Sequence, residues 1–208
     1  MAATNTERSG GRTFYKLKED ERTGSKSLGE LRFFEQVKVG DKWGDGEAYS
    51  QLNGVVVKVD TKEFEYQAEK KKSLVVVLQD GADLFEFSLG FRASAAQGIL
   101  NTLAGDNPLD LTFVCGKPKE HNGKFYSTLY INKAGSTNEE KRTKWKYQPA
   151  ELPKVTSTKD EDGNIIKKGV KAADDFWSKV VEDIKAKINS TPTPSIALAD
   201  SDVDPLPF

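Results

Sequence analysis

"QLNGVVVKVDTKEFEYQAEKKKSLVVVLQDGADLFEFSLGFRASAAQGILNTLAG", residues 51–105, decides how this chain folds. Its first part is β-branched at Val55–Val57 and then alternates Phe64 and Tyr66 with glutamates. That predicts one long strand, with a bulge near Asp60–Thr61. "AEKKK" (68–72) turns the chain into "SLVVVLQ" (73–79), an apolar run that reads as a buried strand. Asp80–Gly81 is a hairpin signal. "DLFEFSLGF" (83–91) alternates strictly, which sends Phe85 and Phe87 inward. At residue 92 the period changes: "RASAAQGILNTLAG" is Ala-rich, lacks β-branched runs and ends on Gly105, the pattern of a short helix.

Outward from this block, "LDLTFVCG" (109–116) and "KFYSTLYIN" (124–132) read as two more strands joined by "KPKEHNG". Three strands, a helix and two strands, with the first strand long, is the order of a five-stranded oligonucleotide/oligosaccharide-binding (OB) barrel. A generic small β-barrel or sandwich is the alternative. The expected fold is therefore mainly β, with the OB domain over 31–150. Residues 1–30 are expected to be a flexible extension, although "RTFYKLK" (12–18) alternates enough for a strand. Residues 151–189 read as a hairpin turning at Asp162–Gly163 and an amphipathic helix over 172–188, packed on the barrel or on a partner. The helix has Phe176, Val180, Ile184 and Ile188 at i+4 spacing, Asp174 and Asp175 early and Lys185 and Lys187 late, as its dipole favours. "STPTPS" opens a disordered tether and acidic tail over 190–208.

The chain has 208 residues, 30% of them charged and 37% hydrophobic, enough for one ordinary domain with tails. Its longest apolar runs are too short to cross a bilayer, so no membrane partner is expected. Nothing near Met1 has the basic-then-apolar order of a leader. A single cysteine, Cys115, excludes an internal disulfide and fits the reducing cytoplasm of a bacterium or a phage-infected host.

The supply of catalytic groups is thin. His121 stands alone in a Gly/Asn-rich loop, and Cys115 shares a strand face with Leu111 and Phe113. No Cys or His pair has zinc spacing. "GKPKEHNGK" lacks the spacing and the Ser or Thr of a phosphate loop, with Phe125 in that place. A calcium loop aligned on Gly163 would begin at Thr158 and end at Gly169, without the carboxylates it needs. The residues point away from an enzyme, a metal and a cofactor.

What the chain does carry is aromatic rings interleaved with cations, the pairing that binds unpaired bases and their phosphates. Tyr126 and Tyr130 fall on the strand face opposite Phe125, Leu129 and Ile131. Phe64 and Tyr66 lie near the first hairpin tip, beside Lys70, Lys71 and Lys72. "KRTKWKY" (141–147) surrounds Trp145 with Lys141, Arg142, Lys144 and Lys146. In each case the other reading is structural: rings that cover the barrel ends, or a tryptophan tucked beneath a solvated basic loop. Trp43, among glycines in "VGDKWGDGE", fits either.

The stretch "DSDVDPLPF" (200–208) follows the tether. It offers Phe208 as a ring for a cation-rimmed pocket and Asp200, Asp202 and Asp204 for steering. From Thr191 onward there are three Asp and no Lys or Arg, while the first 190 residues hold 31 basic and 29 acidic side chains. This tail resembles the C-terminal tip of bacterial and phage single-stranded DNA-binding proteins, with Leu206, Pro207 and Phe208 matching the ending. The aspartates alternate with Ser201 and Val203, and Pro205 intervenes, both departures from that pattern. The extension and the 155–188 segment are more similar to diverged phage replication members. The resemblance implies a tip that recruits replication, recombination and repair enzymes and competes with DNA for the protein's own basic groove.

The sequence is thus expected to encode a non-enzymatic protein that coats single-stranded DNA with little sequence preference. An OB protein-interaction adaptor and an RNA-binding OB module stay open beside it, as does duplex DNA binding.

Overall fold

The computed structural model describes residues 11–20, 30–67, 69–121, 124–135, 142–160 and 165–191. In chain order the elements are β1 (Arg12–Asp20), β2 (Glu30–Val39), β3 (Lys42–Tyr49), β4 (Gln51–Tyr66), β5 (Glu69–Asp80), β6 (Asp83–Gly90), α1 (Ser94–Ala104), β7 (Asp110–Cys115), β8 (Lys119–His121), β9 (Lys124–Tyr126), β10 (Leu129–Lys133), β11 (Thr156–Lys159), β12 (Ile165–Lys168) and α2 (Val170–Ser190). Eight strands form one mixed sheet in the order β10-β7-β4-β5-β6-β1-β2-β3. The β8–β9 and β11–β12 hairpins stand apart from it.

The long strand forms as its β-branched residues dictate, but its bulge lies earlier than expected. Register against β5 shifts between Val56 and Lys58, not at Asp60–Thr61. The reason is parity. Leu52, Gly54 and Val56 point inward, and the extra residue lets Val59 point inward next. Without it Lys58 would face the core, because a one-residue slip exchanges the two faces of a strand. Gly54 sits where β4 passes from β7 to β5, at φ +147°, and a Cβ there would lie 2.7 Å from the Gln79 carbonyl oxygen. Only glycine suits that position.

β5, flanked on both sides, is buried on both faces from Ser73 to Leu78. Phe87 of β6 meets Phe33 of β2 and Phe113 of β7 edge to face, with centroids 5.3 and 5.4 Å apart. Those three strands are not neighbours in the sheet, so the sheet curls until their inner faces touch. Ile99, Leu100 and Leu103 of α1 complete this core, with Trp177, Val180, Val181, Ile184 and Ile188 of α2.

The expected five-stranded barrel does not close. β6 is occupied on its far edge by β1, paired in parallel from Arg12↔Leu84 to Lys16↔Ser88, and β10 is the end strand of the sheet. The expected flexible extension, residues 1–30, therefore contributes a strand, and β2 and β3 extend the sheet beyond it. The Gly-rich, charged composition of 30–49 conceals these strands, whose rings are divided between the two faces, Phe33 in the core and Phe34 and Trp43 on the other side. The strand expected over 124–132 is broken at Ser127–Thr128 into β9 and β10.

At the other end, α2 begins at Val170, two residues before the expected start, behind Gly169 at φ +81°. Asp174 and Asp175 therefore miss the first turn. Asp174 instead takes a bidentate pair from Arg92 at 2.5 and 2.9 Å, while Phe176 packs between Tyr147 and Trp177. The hairpin expected at 155–170 is present as β11–β12, with every strand residue exposed. Nearly all of 190–208, from residue 192 onward, lies outside the described residues. No helix among those described is long and apolar enough to cross a membrane.

Candidate nucleic-acid interface

The basic stretch after β10 is held through the backbone of Thr143, Lys144 and Tyr147. Thr143 donates from both its N–H and its hydroxyl to the Ile131 carbonyl, at 3.0 and 2.9 Å. Asn107 Nδ2 donates to the Lys144 carbonyl at 2.8 Å and its Oδ1 accepts from the Lys144 N–H at 3.3 Å. Asn101, buried on α1, does the same for Tyr147, at 2.9 and 2.7 Å. Each amide thus satisfies a whole residue's backbone as a paired strand would. Lys144, Trp145 and Lys146 are left exposed between the two clamps, with Trp145 at 51% exposure.

Arg142, bridged to Asn132 of β10, lays its guanidinium over the Tyr130 ring, Cζ to centroid 3.9 Å. Two clefts flank this stack. One of about 480 Å³ lies between α1 and β10 and is lined by Gly98, Thr102, Thr128, Tyr130, Arg142 and Trp145. The other, about 610 Å³, is lined by Asp106, Lys133, Arg142, Lys144, Trp145 and Lys146. Arg142 and Trp145 line both clefts and form the wall between them, with Tyr130 facing the first and Lys133, Lys144 and Lys146 the second. Lys187 of α2 underpins the second cleft by donating to the carbonyls of Leu103, Gly105 and Asn107 at 3.1, 2.6 and 3.1 Å. Burial lowers the Lys187 pKa; the Asp106 charge opposes that and the Lys146 charge adds to it.

The other expected group divides. Lys71 lies over the Tyr66 ring at 4.4 Å, with Tyr66 46% exposed and Lys70 exposed nearby. Phe64 is half-buried and pairs across the hairpin with Lys71. Lys72 is committed elsewhere: it donates to Ser178 Oγ at 2.9 Å and lies over the Phe91 ring at 4.6 Å. Tyr66 follows the last β4 residue paired with β7, Val55, by eleven residues, about 36 Å along the strand. The hairpin end and the Tyr130–Trp145 wall are separate groups.

Lys141, the side chain of Tyr126, and Asp200, Asp202, Asp204, Leu206, Pro207 and Phe208 lie outside the described residues. Asn101, Asn107 and Lys133 were not singled out in the sequence. An asparagine that clamps a backbone carries no local pattern that announces it.

Burial pushes the Cys115 thiol up to about 12 against a weaker opposing pull from Arg32, which leaves it a packing residue. Among the described residues no group of His, Cys, Asp and Glu is placed to hold a metal ion. Comparison with family models, curated proteins and solved structures finds no match to this chain.

Proposed function

We propose that the protein binds single-stranded DNA with little sequence preference, with Tyr130, Arg142, Lys144, Trp145 and Lys146 as the principal contact surface. The observation that carries this reading is the rigid presentation of an exposed tryptophan between two lysines, beside an arginine stacked on a tyrosine. Base stacking on such a ring contributes about 1–3 kcal/mol per base, and the cations follow the backbone at a salt-dependent cost. Preorganisation by Asn101 and Asn107 reduces the ordering entropy that a loose basic loop would lose on binding. The strand order β10-β7-β4-β5-β6 supports an OB-type ancestry of the sheet, opened between β6 and β10. Tyr66, Lys70 and Lys71 form a secondary contact at the hairpin end. In this reading the acidic segment ending Leu206-Pro207-Phe208 recruits replication, recombination and repair enzymes.

The test is fluorescence anisotropy of labelled oligo-dT, the matching RNA and a duplex across a salt series. Tight oligo-dT binding that weakens with salt, with poorer duplex binding, is the expected result. Arg142→Gln and Trp145→Ala should each weaken it about tenfold. An RNA preference would move the reading to an RNA-binding module. No binding to any of the three at low salt would replace it with a protein-interaction role.

A further inference from the structure

The sheet face turned away from the core carries a second set of rings and cations that the interface above does not use. Tyr15 and Leu17 of β1 are in the core, so the alternating Phe14, Lys16 and Lys18 face the other way. Phe33 is likewise buried in the core, which turns Arg32 and Phe34 of β2 outward. On this outer face Phe14 and Trp43 meet edge to face across the intervening β2, centroids 6.0 Å apart, both half-buried. Arg12 lies 5.8 Å over Phe14, and Lys18 lies 4.9 Å over Phe34.

Charge on the face is biased and ordered. Among the described side chains, four carboxylates are held by cations: Glu86 by Arg12 at 2.6 Å and Lys62 at 3.4 Å, Asp45 by Lys18 at 2.5 Å, Glu30 by Arg32, and Asp60 by Lys185 at 2.8 Å. Lys16 is exposed amid them, aligned with Phe34 on one side and Ser88 on the other. The surplus is positive, and it sits beside Phe14 and Trp43, which keep some exposed area, while Phe34 is buried beneath Lys18. Protein partners reached through apolar patches would not need those cations, whereas a polyanion with stackable faces uses both terms.

We infer that this outer face, centred on Phe14, Lys16 and Trp43, is a second binding surface for single-stranded polynucleotide, distinct from the Tyr130–Trp145 wall. The inference rests on the proposed function and extends it. One molecule engages a long strand at two places, and a short strand fills only the wall. A single surface of this kind covers about 4–16 nucleotides, so two together need roughly 30.

The experiment measures affinity and salt dependence for oligo-dT of about 8 and about 30 nucleotides. The full-length protein is compared with Lys16→Glu, which alters an exposed charge without touching packing, and with Phe14→Leu/Trp43→Leu, checked for cooperative unfolding. Lys16→Glu is expected to weaken binding of the long oligonucleotide about tenfold and to lower its salt slope by about one, with short-oligonucleotide affinity unchanged. The ring variant should lose long-strand affinity in the same selective way. Equal long-strand affinity and salt slope in all three proteins, while the wild type binds both lengths, would overturn the second surface and leave the first intact. Equal losses on both lengths would also overturn it, by merging the face with the wall. Failure of the wild type to bind either length would instead remove the proposed function on which it rests.

Discussion

A Cβ on residue 116 would lie 2.4 Å from Cε2 of Tyr130, so Gly116 is the space into which the Tyr130 ring fits. The Thr128 carbonyl, 2.9 Å from the same point, accepts the Gly116 N–H and fixes the backbone on that side. The ring has to move if the residue grows. Gly116→Ala is expected to displace Tyr130 from beneath Arg142 and weaken oligo-dT binding several-fold. Its stability cost should stay within about 1–3 kcal/mol, the usual range for overpacking. Anisotropy titration alongside urea unfolding checks it. Unchanged affinity would mean that the stack does not contribute to binding.

The three tryptophans differ enough in exposure to be told apart by fluorescence. Trp177 is 3% exposed and Trp145 51%. Stacked bases quench an indole they cover, so a short oligo-dT should quench emission in proportion to binding. In Trp145→Phe most of that quench should disappear. Quenching that survives the substitution would place the strand elsewhere on the molecule.

The Lys187 ammonium, with its three carbonyl partners, ties the end of α1 to α2. Lys187→Met keeps the aliphatic stem and removes the donors, leaving partly buried carbonyls without their cation. A charge-assisted hydrogen-bond set of this kind is worth about 1.5–3 kcal/mol. In a chain this long that corresponds to a Tm lower by about 3–12 °C. Calorimetry decides the matter, and an unchanged Tm would show that water replaces the ammonium without loss.

Asp60 links β4 to α2 through Lys185. Burial raises its pKa, but hydrogen bonds from Lys185 and the Thr61 N–H, with the charges of Lys185 and Lys58, outweigh that and hold it below its ordinary 3.8. A carboxylate whose folded pKa is depressed contributes its stabilisation fully above 3.8. That contribution is lost as pH falls below 3.8 and through the folded value. Asp60→Asn is therefore expected to cost about 0.5 kcal/mol at neutral pH, a small figure because the pair is well solvated. The gap from wild type should narrow on acidification below 3.8. Denaturation curves at several pH values test this, and a gap constant with pH would assign the cost to packing.

The central part of the fold was legible because its signals are local. Val55–Val57, Leu74–Leu78 and the alternation of Phe85 and Phe87 name their own strands, and the Ala-rich run names α1. The limits of the sheet were not legible, because whether β6 pairs with β10 or β1 depends on a distant segment. β3, "KWGDGEAY", reads as a loop by composition and is a strand only because β2 lies beside it. At the interface, composition singled out Tyr130, Arg142 and Trp145, yet their mutual placement depends on Asn101, Asn107 and Gly116. Lys72 shows the converse: a cation in a basic run that tertiary packing draws into an internal role.

The parallel pairing of β1 with β6 also has a consequence in time. The Leu84 N–H donates to the Gly11 carbonyl, and Gly11 in turn reaches Asp83, 72 residues along the chain. β4, β5 and β6 form a meander that can assemble from near neighbours, whereas β1 must wait for β6 to exist. Long-range parallel pairing is slow to nucleate. On a ribosome, this early-made strand is therefore among the last to be seated. Until it docks, the edge of β6 stands open to pairing with any other extended segment.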